Sequence, residues 1–242
     1  MRPPVVETPD VKVPATPVGP RFFKAVTLYG LDFHTGAVPW LPPDGTPIPE
    51  GGWLVEHPHP GDVGSWDAAG YLSTSTVETD CTGFDWPARL LLVEPTGAVW
   101  TPHPDSFPHK RAAHAWRVTE ELPSWMLFGP QGREVASLIE QADHLTSAQI
   151  EDLTAAWDAA YGAAREAAYG AAYGAARDAA WDAAQDAARN VTWFAAWVAD
   201  RLAAWYSARD AVLGALVADV LDPDTLRLLV GPWERVMGRV IA

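Results

Sequence analysis

The chain has 242 residues, 48% of them hydrophobic and 20% charged, which is too apolar for a wholly disordered polypeptide and long enough for one or two domains with a real core. No stretch approaches the roughly 18 uninterrupted apolar residues of a membrane span, and the start Met1-Arg2-Pro3-Pro4 lacks the apolar segment of a secretory signal, so a cytoplasmic protein with no membrane partner is expected. A single cysteine, Cys81, excludes an intramolecular disulfide framework, and a net charge of −14 opposes attraction to phosphate backbones, so no direct nucleic-acid partner is expected.

Residues 1–20 carry six prolines and no apolar period, which predicts a Pro-rich flexible arm. From 21 to 130 the chain alternates short apolar runs with Gly, Pro and Asp, the punctuation of β structure with tight connections. The predicted strands are Phe22–Tyr29, Trp53–Glu56, Tyr71–Ser75, Arg89–Glu94, Ala98–Thr101 and Ala113–Thr119. The prolyl stretches 39–49, 58–60 and 102–108 are predicted to be surface loops, and seven tryptophans between Trp40 and Trp125 supply rings large enough to close a small β core. His57-Pro58-His59 with Asp62 offers candidate metal ligands, but a proline loop lacks the helical or knuckle spacing of zinc sites, so no metal is expected. Cys81 has no partner visible in sequence and reads as a small buried hydrophobe.

Residues 131–145 form a predicted connecting helix, with Val135, Leu138, Ile139 and Ala142 at helical spacing. Thr146 then reads as an N-cap whose capping box closes on Gln149. The region 146–222 is dominated by nine consecutive tetrads, AAWD, AAYG, AARE, AAYG, AAYG, AARD, AAWD, AAQD and AARN, from Ala155 to Asn190. Alanine makes this region helical, even though each of Gly162, Gly170 and Gly174 costs about 1 kcal/mol. Four residues advance about 400° at 3.6 residues per turn, so the Ala-Ala pair drifts by about 40° per tetrad and circles one long helix every 36 residues or so. A partner following that pair would need a pitch of about 54 Å, far tighter than an ordinary two-stranded coiled coil, so a simple long zipper is not expected. Aromatics in the third slots and just beyond, namely Trp157, Tyr161, Tyr169, Tyr173, Trp181, Trp193 and Trp197, are the candidate interaction residues. Asp222-Pro223-Asp224 breaks the helix, and 223–242 is a C-terminal amphipathic helix with an interruption at Gly231-Pro232.

The segment Gly70-Tyr71-Leu72-Ser73-Thr74-Ser75, followed by Arg89–Glu94 and Pro95-Thr96-Gly97, resembles the strand order around the Ser-Thr-Ser motif of toxin-type ADP-ribosyltransferases. That resemblance implies NAD as cofactor, with Arg21 holding a phosphate and Ser73 supporting the nicotinamide pocket. The family pattern also needs an acidic residue near a late strand. Here Lys110-Arg111 stand where it would be expected, and Glu120 and Glu121 fall at the far end of that strand. A second resemblance spans the whole chain: Tyr71–Ser75, Asp80-Cys81-Thr82-Gly83, Trp86–Leu90, Lys110-Arg111, Glu120–Pro123, the tetrads and Gly231-Pro232-Trp233 are similar to a group of uncharacterised actinobacterial phage proteins. It implies an accessory phage product acting in the host cytoplasm.

The expected fold is α+β, a small β-rich domain followed by a long alanine-rich helix or helical hairpin. The expected function is protein–protein interaction or self-assembly, with a host protein, a phage protein or a second copy as partner and no cofactor. Two alternatives stand beside it: an NAD-using transferase built on Arg21, Ser73 and Glu120 or Glu121, and an acidic DNA mimic. The charge distribution weighs against mimicry by the repeat. Residues 146–242 hold 8 basic and 13 acidic side chains, net −5, against 9 and 18, net −9, in residues 1–145.

Overall fold

A computed structural model of the chain describes residues 20–43, 45–81, 84–160, 162–175 and 202–240. The arm before residue 20 lies outside the described residues, as do Tyr161, Trp181, Trp193 and Trp197. Six strands, β1 (Phe22–Thr27), β2 (Trp53–Glu56), β3 (Leu72–Ser75), β4 (Ala88–Pro95), β5 (Lys110–Ala113) and β6 (Ala115–Leu122), pair antiparallel in the order β2-β6-β4-β1-β3-β5. β1 and β4 are matched from Phe22↔Val93 to Thr27↔Ala88. Side chains alternate between the faces of a strand, so Phe22, Val26, Leu91 and Val93 share one face while Phe23, Ala25, Ala88 and Leu90 share the other. β5 and β6 are one extended segment interrupted only at His114. Its first half pairs with β3 and its second with β4 and β2, so the sheet curls around the first face.

The predicted strand at Ala113–Thr119 is therefore part of a longer element. The β4–β6 register slips between Val93↔Val118 and Leu92↔Glu120, leaving Thr119 as an extra residue whose hydroxyl donates to the Leu92 carbonyl at 3.2 Å. One inserted residue reverses which face each later side chain meets. Trp116 and Val118 thus enter the concave core, whereas Leu122 joins the opposite one. The predicted strand at Ala98–Thr101 reduces to one bridge, Trp100↔Ala112. The prolyl stretch 39–49 is not wholly surface: Val38, Trp40 and Leu41 close the concave core, with Trp40 fully buried. Proline fixes the path of the backbone there but leaves the neighbouring side chains free to turn inward.

The second face of the sheet carries helices. α1 (Gly132–Asp143) buries Val135, Leu138, Ile139 and Ala142, the residues its spacing marks. The Thr146 cap forms as expected: Gln149 N–H donates to Thr146 Oγ1 at 3.3 Å and Thr146 N–H to Gln149 Oε1 at 2.9 Å. The alanine-rich part is several helices rather than one long one, with α2 (Ser147–Ala160) and α3 (Ala163–Ala175) separated around Gly162. That break restarts the angular drift. The second alanines Ala156, Ala168 and Ala172 are buried, while the first alanines Ala155, Ala159, Ala167 and Ala171 face solvent. α4 (Leu202–Leu216) is buried on nearly every side, as its apolar run demands, and touches α1, α2, α3 and α5 (Pro223–Met237). Asp222 caps α5, accepting from the N–H groups of Asp224 and Thr225, with Pro223 in the first turn. α5 runs through the predicted interruption, because buried Pro232 and Trp233 anchor the turn that lacks one backbone donor.

One apolar core joins Phe23, Leu90 and Leu122 of the sheet to Ile139, Leu153, Ala172, Leu213 and Trp233 of the helices. Within it Ser207 of α4 is fully buried, and its hydroxyl meets no partner among the described residues. Ser207→Ala is expected to leave stability unchanged or raise it by up to about 1 kcal/mol in urea unfolding. A loss of that size would reveal a bond to the hydroxyl.

Candidate functional site

β1 stays with β4 along its whole length, whereas β3 stays with β5, so β1 and β3 touch at the single pair Phe23↔Ser75 and then part. The parting opens a narrow crevice of about 20 Å3, walled by Phe23 to Ala25 on one side and by Ser73 to Ser75, Asp80, Cys81 and Lys110 on the other. The Ala25 N–H, left without a strand partner on that side, bonds the Cys81 thiol. Burial pushes that thiol up to about 12, with the field of Lys24 only partly opposing, so Cys81 is an inert hydrophobe and not a nucleophile.

Two of the chain's three lysines stand here. Lys24 interrupts the apolar run Phe22–Val26 and is buried; its Nζ reaches Asp32 Oδ2 at 2.5 Å and sits 5.1 Å from the Trp40 ring centroid. Asp32 also accepts from the N–H groups of His34 and Thr35 at 2.9 and 3.0 Å. Burial alone would raise the Asp32 carboxyl, but Lys24 and these bonds together outweigh it and hold the group below its ordinary value. Lys110 lies between the rings of Phe107 and Tyr71, at 5.7 and 5.9 Å. Burial, then repulsion from Lys24, draws its ammonium below the usual lysine range, and the more distant Asp32 opposes this in part. Ser75 Oγ accepts the Val77 N–H at 3.1 Å, whereas the buried Thr74 hydroxyl has no partner among the described residues. Asp80 Oδ2 lies 3.6 Å from His109 Nε2, and the other ring nitrogen lies 3.3 Å from Thr76 Oγ1.

A second feature is the loop before β3. Trp66 is 76% exposed, yet its neighbours are pinned: Trp100 Nε1 donates to the Ser65 carbonyl at 2.7 Å, Ser65 N–H to Asp62 O at 3.1 Å, and Gly61 N–H to Gly70 O at 3.0 Å. Trp100 is itself held edge-on between Tyr71 and His114.

The crevice brings Ser73 together with Lys110, not with the other transferase candidates. Arg21 is exposed, its guanidinium 5.3 Å from the Phe23 ring centroid. Glu120 and Glu121 lie on β6, separated from β3 by β4 and β1, and Glu121 is tied to Arg89 by bonds of 2.7 and 2.5 Å. Of the candidate metal ligands, His57 Nδ1 accepts the His59 N–H at 3.1 Å, so the pair folds as a local turn. No group of three or more His, Cys, Asp or Glu suited to a metal occurs among the described residues. Trp157 stacks on Tyr206 at 5.2 Å, and Tyr169 lies 4.3 Å from the Arg209 guanidinium, which also bonds Asp210, so both serve the helical layer itself; Tyr173 is 62% exposed. Sequence reasoning missed Lys24, Asp32, Lys110 and Trp66. The available signal was a lysine inside an apolar strand run in a chain with only three lysines. No helix among the described residues is long and apolar enough to cross a membrane. Comparison with protein-family models, with curated proteins and with solved structures finds no match to this chain.

Proposed function

We propose that the chain acts by binding another protein, as an accessory phage-type product, with the β half as recognition module and the helices as the scaffold behind it. Trp66 carries this reading. A large amphipathic ring displayed on a loop whose backbone is already fixed loses little freedom on binding, and tryptophan is among the residues that dominate interface energy. Trp157 and Tyr169, by contrast, pack inside the helical layer, which moves the docking role from the repeat towards the β half. A second copy of the chain is the simplest partner to test.

Trp66→Ser is expected to leave the unfolding midpoint unchanged, since the ring is mostly outside the core, and to weaken partner or self association by about 30-fold. Light scattering reads self-association over a concentration series, and affinity capture from an actinobacterial host lysate, wild type against variant, reads a foreign partner. Equal association by wild type and variant in both assays would sink the proposal.

A further inference from the structure

Taking Trp66 as the docking ring proposed above, we infer that the protein it receives is basic: an arginine or lysine side chain of the partner lies on the Trp66 ring, beside the carboxylates of Asp62 and Asp67. Between Lys24 and Arg89 the chain carries nine Asp or Glu and no Lys or Arg. Of these nine, Asp32 is matched by Lys24 and Asp80 faces His109. Trp66 stands within that span on the loop 61–70, whose two ends meet backbone to backbone. Gly61 N–H donates to the Gly70 carbonyl at 3.0 Å, and a Cβ added to Gly70 would lie 3.0 Å from the Gly61 Cα. Asp62 and Asp67 are exposed on the same loop, and neither makes an ion pair among the described residues. The Asp67 carboxylate is held in place by accepting the Ala69 N–H at 3.0 Å, and Asp67 N–H donates to the Ser65 hydroxyl at 3.1 Å. Val63, 62% exposed, adds apolar surface to the loop.

Ring chemistry and charge choose the occupant. The face of a tryptophan attracts a cation, and a guanidinium lying on it still offers N–H groups at its rim to carboxylates. Carboxylates of one sign around the ring steer a basic segment towards it and turn an acidic one away. Burial first, then the field of Asp67, raises the Tyr71 hydroxyl above its ordinary value, so the negative field of the loop extends to its base. Lys110, whose Nζ lies 5.9 Å from the ring centroid of Tyr71 just beyond the loop, sets one half-buried positive charge against two exposed carboxylates. A second copy of the chain would bring a net charge of −14 against −14, so the charge selects a foreign protein with a basic segment over self-association.

The test is a titration of the full-length protein followed by the indole N–H signals in nuclear magnetic resonance, the Trp66 signal being the one that Trp66→Ser removes. The probes are an N-acetylated, amidated peptide of alternating glycine and arginine and the same peptide with glutamine or glutamate in place of arginine. A saturating shift of the Trp66 signal is expected with the arginine peptide, at least about tenfold tighter than with glutamine, and no shift with glutamate. Raising the salt from about 0.05 M to about 0.3 M is expected to weaken the binding at least about threefold. Asp62→Asn combined with Asp67→Asn keeps an acceptor for the Ala69 N–H and is expected to weaken it at least about fivefold. Glu140→Gln combined with Glu151→Gln removes the same charge from exposed positions on the helices and is expected to leave the binding unchanged. Failure of the arginine peptide to saturate, equal binding of the glutamine peptide, or a response unmoved by the aspartate variants would each overturn the basic occupant. Trp66-dependent association that keeps its full strength in the aspartate variants, or self-association that tightens in them, would overturn it while leaving Trp66 as a docking ring. Association that Trp66→Ser does not weaken removes both.

Discussion

Asp32→Asn is expected to cost about 3–5 kcal/mol of folding stability, because it leaves the Lys24 ammonium buried against Trp40 with no negative partner. For a chain of this size that corresponds to a fall of roughly 6–20 °C in Tm. Asparagine keeps an oxygen for the N–H groups of His34 and Thr35, so the turn survives and the charge is what is lost. Lys24→Met in the same background removes the stranded cation and is expected to recover most of the stability. Urea unfolding of the two single variants and the double variant measures this. A double variant as unstable as the sum of the singles would contradict the pairing. Acid gives an independent check. The Asp32 carboxyl is depressed in the folded state, so its contribution is complete above the ordinary aspartate value of about 3.9 and disappears as pH falls through the lower folded value. The stability gap between wild type and Asp32→Asn should therefore be flat near neutrality and close below about pH 4. A gap that widens in acid would refute the assignment.

Gly132→Ala is the second large effect. A Cβ at this position would lie 1.9 Å from the Trp125 carbonyl oxygen and 2.9 Å from its carbon, so backbone, not a flexible side chain, has to move. The displaced junction is the one that seats Leu127, Phe128, Val135 and Leu138 in the shared core. Overpacking of this kind costs about 3 kcal/mol or more, with a Tm loss of roughly 6–12 °C or greater. Gly170→Ala supplies the opposite sign from the same chemical change. Gly170 is exposed in α3 with nothing within 4 Å of the added carbon, so the gain in helix propensity is expected to stabilise by up to about 1 kcal/mol. Thermal unfolding of the two variants side by side checks both. If Gly132→Ala melts with the wild type, the close approach at Trp125 does not exist in solution.

Elements governed by neighbours in sequence were legible before the structure. Trp53–Glu56 is the predicted strand to the residue, and the Thr146 capping box and the Asp222-Pro223 start of α5 follow from side chains three residues apart or fewer. The ends of the long β5–β6 segment were hidden. Lys110-Arg111 and Glu120-Glu121 fall just outside the predicted strand Ala113–Thr119, and the extra residue Thr119 breaks the alternation that identifies a strand. The stretch 39–49 reads as a surface loop because prolines describe the backbone around Trp40 and not the core into which its ring, one of those expected to close the β core, turns. Ser73 was singled out by its motif, yet its companion Lys110 comes from a distant strand that only the β3–β5 pairing brings alongside. The repeat left a long helix and a helical hairpin both open, and the choice between them turns on a local break the tetrad count does not mark: one helix ends at Ala160 and the next begins at Ala163, beside Gly162.

That division bears on how such a gene can change length. Replication slippage readily adds or removes a repeat unit, but one extra tetrad between Ala163 and Ala175 would shift the rest of α3 by about 6 Å and turn it by about 40°. Ala168 and Ala172 would then hand their places against α4 and α5 to neighbours of different size. A change of copy number within α3 is accordingly expected to destabilise the fold. An insertion of about 18 residues, five whole turns, would preserve the facing side, so length variants that persist are expected to be spaced by turns rather than by repeats.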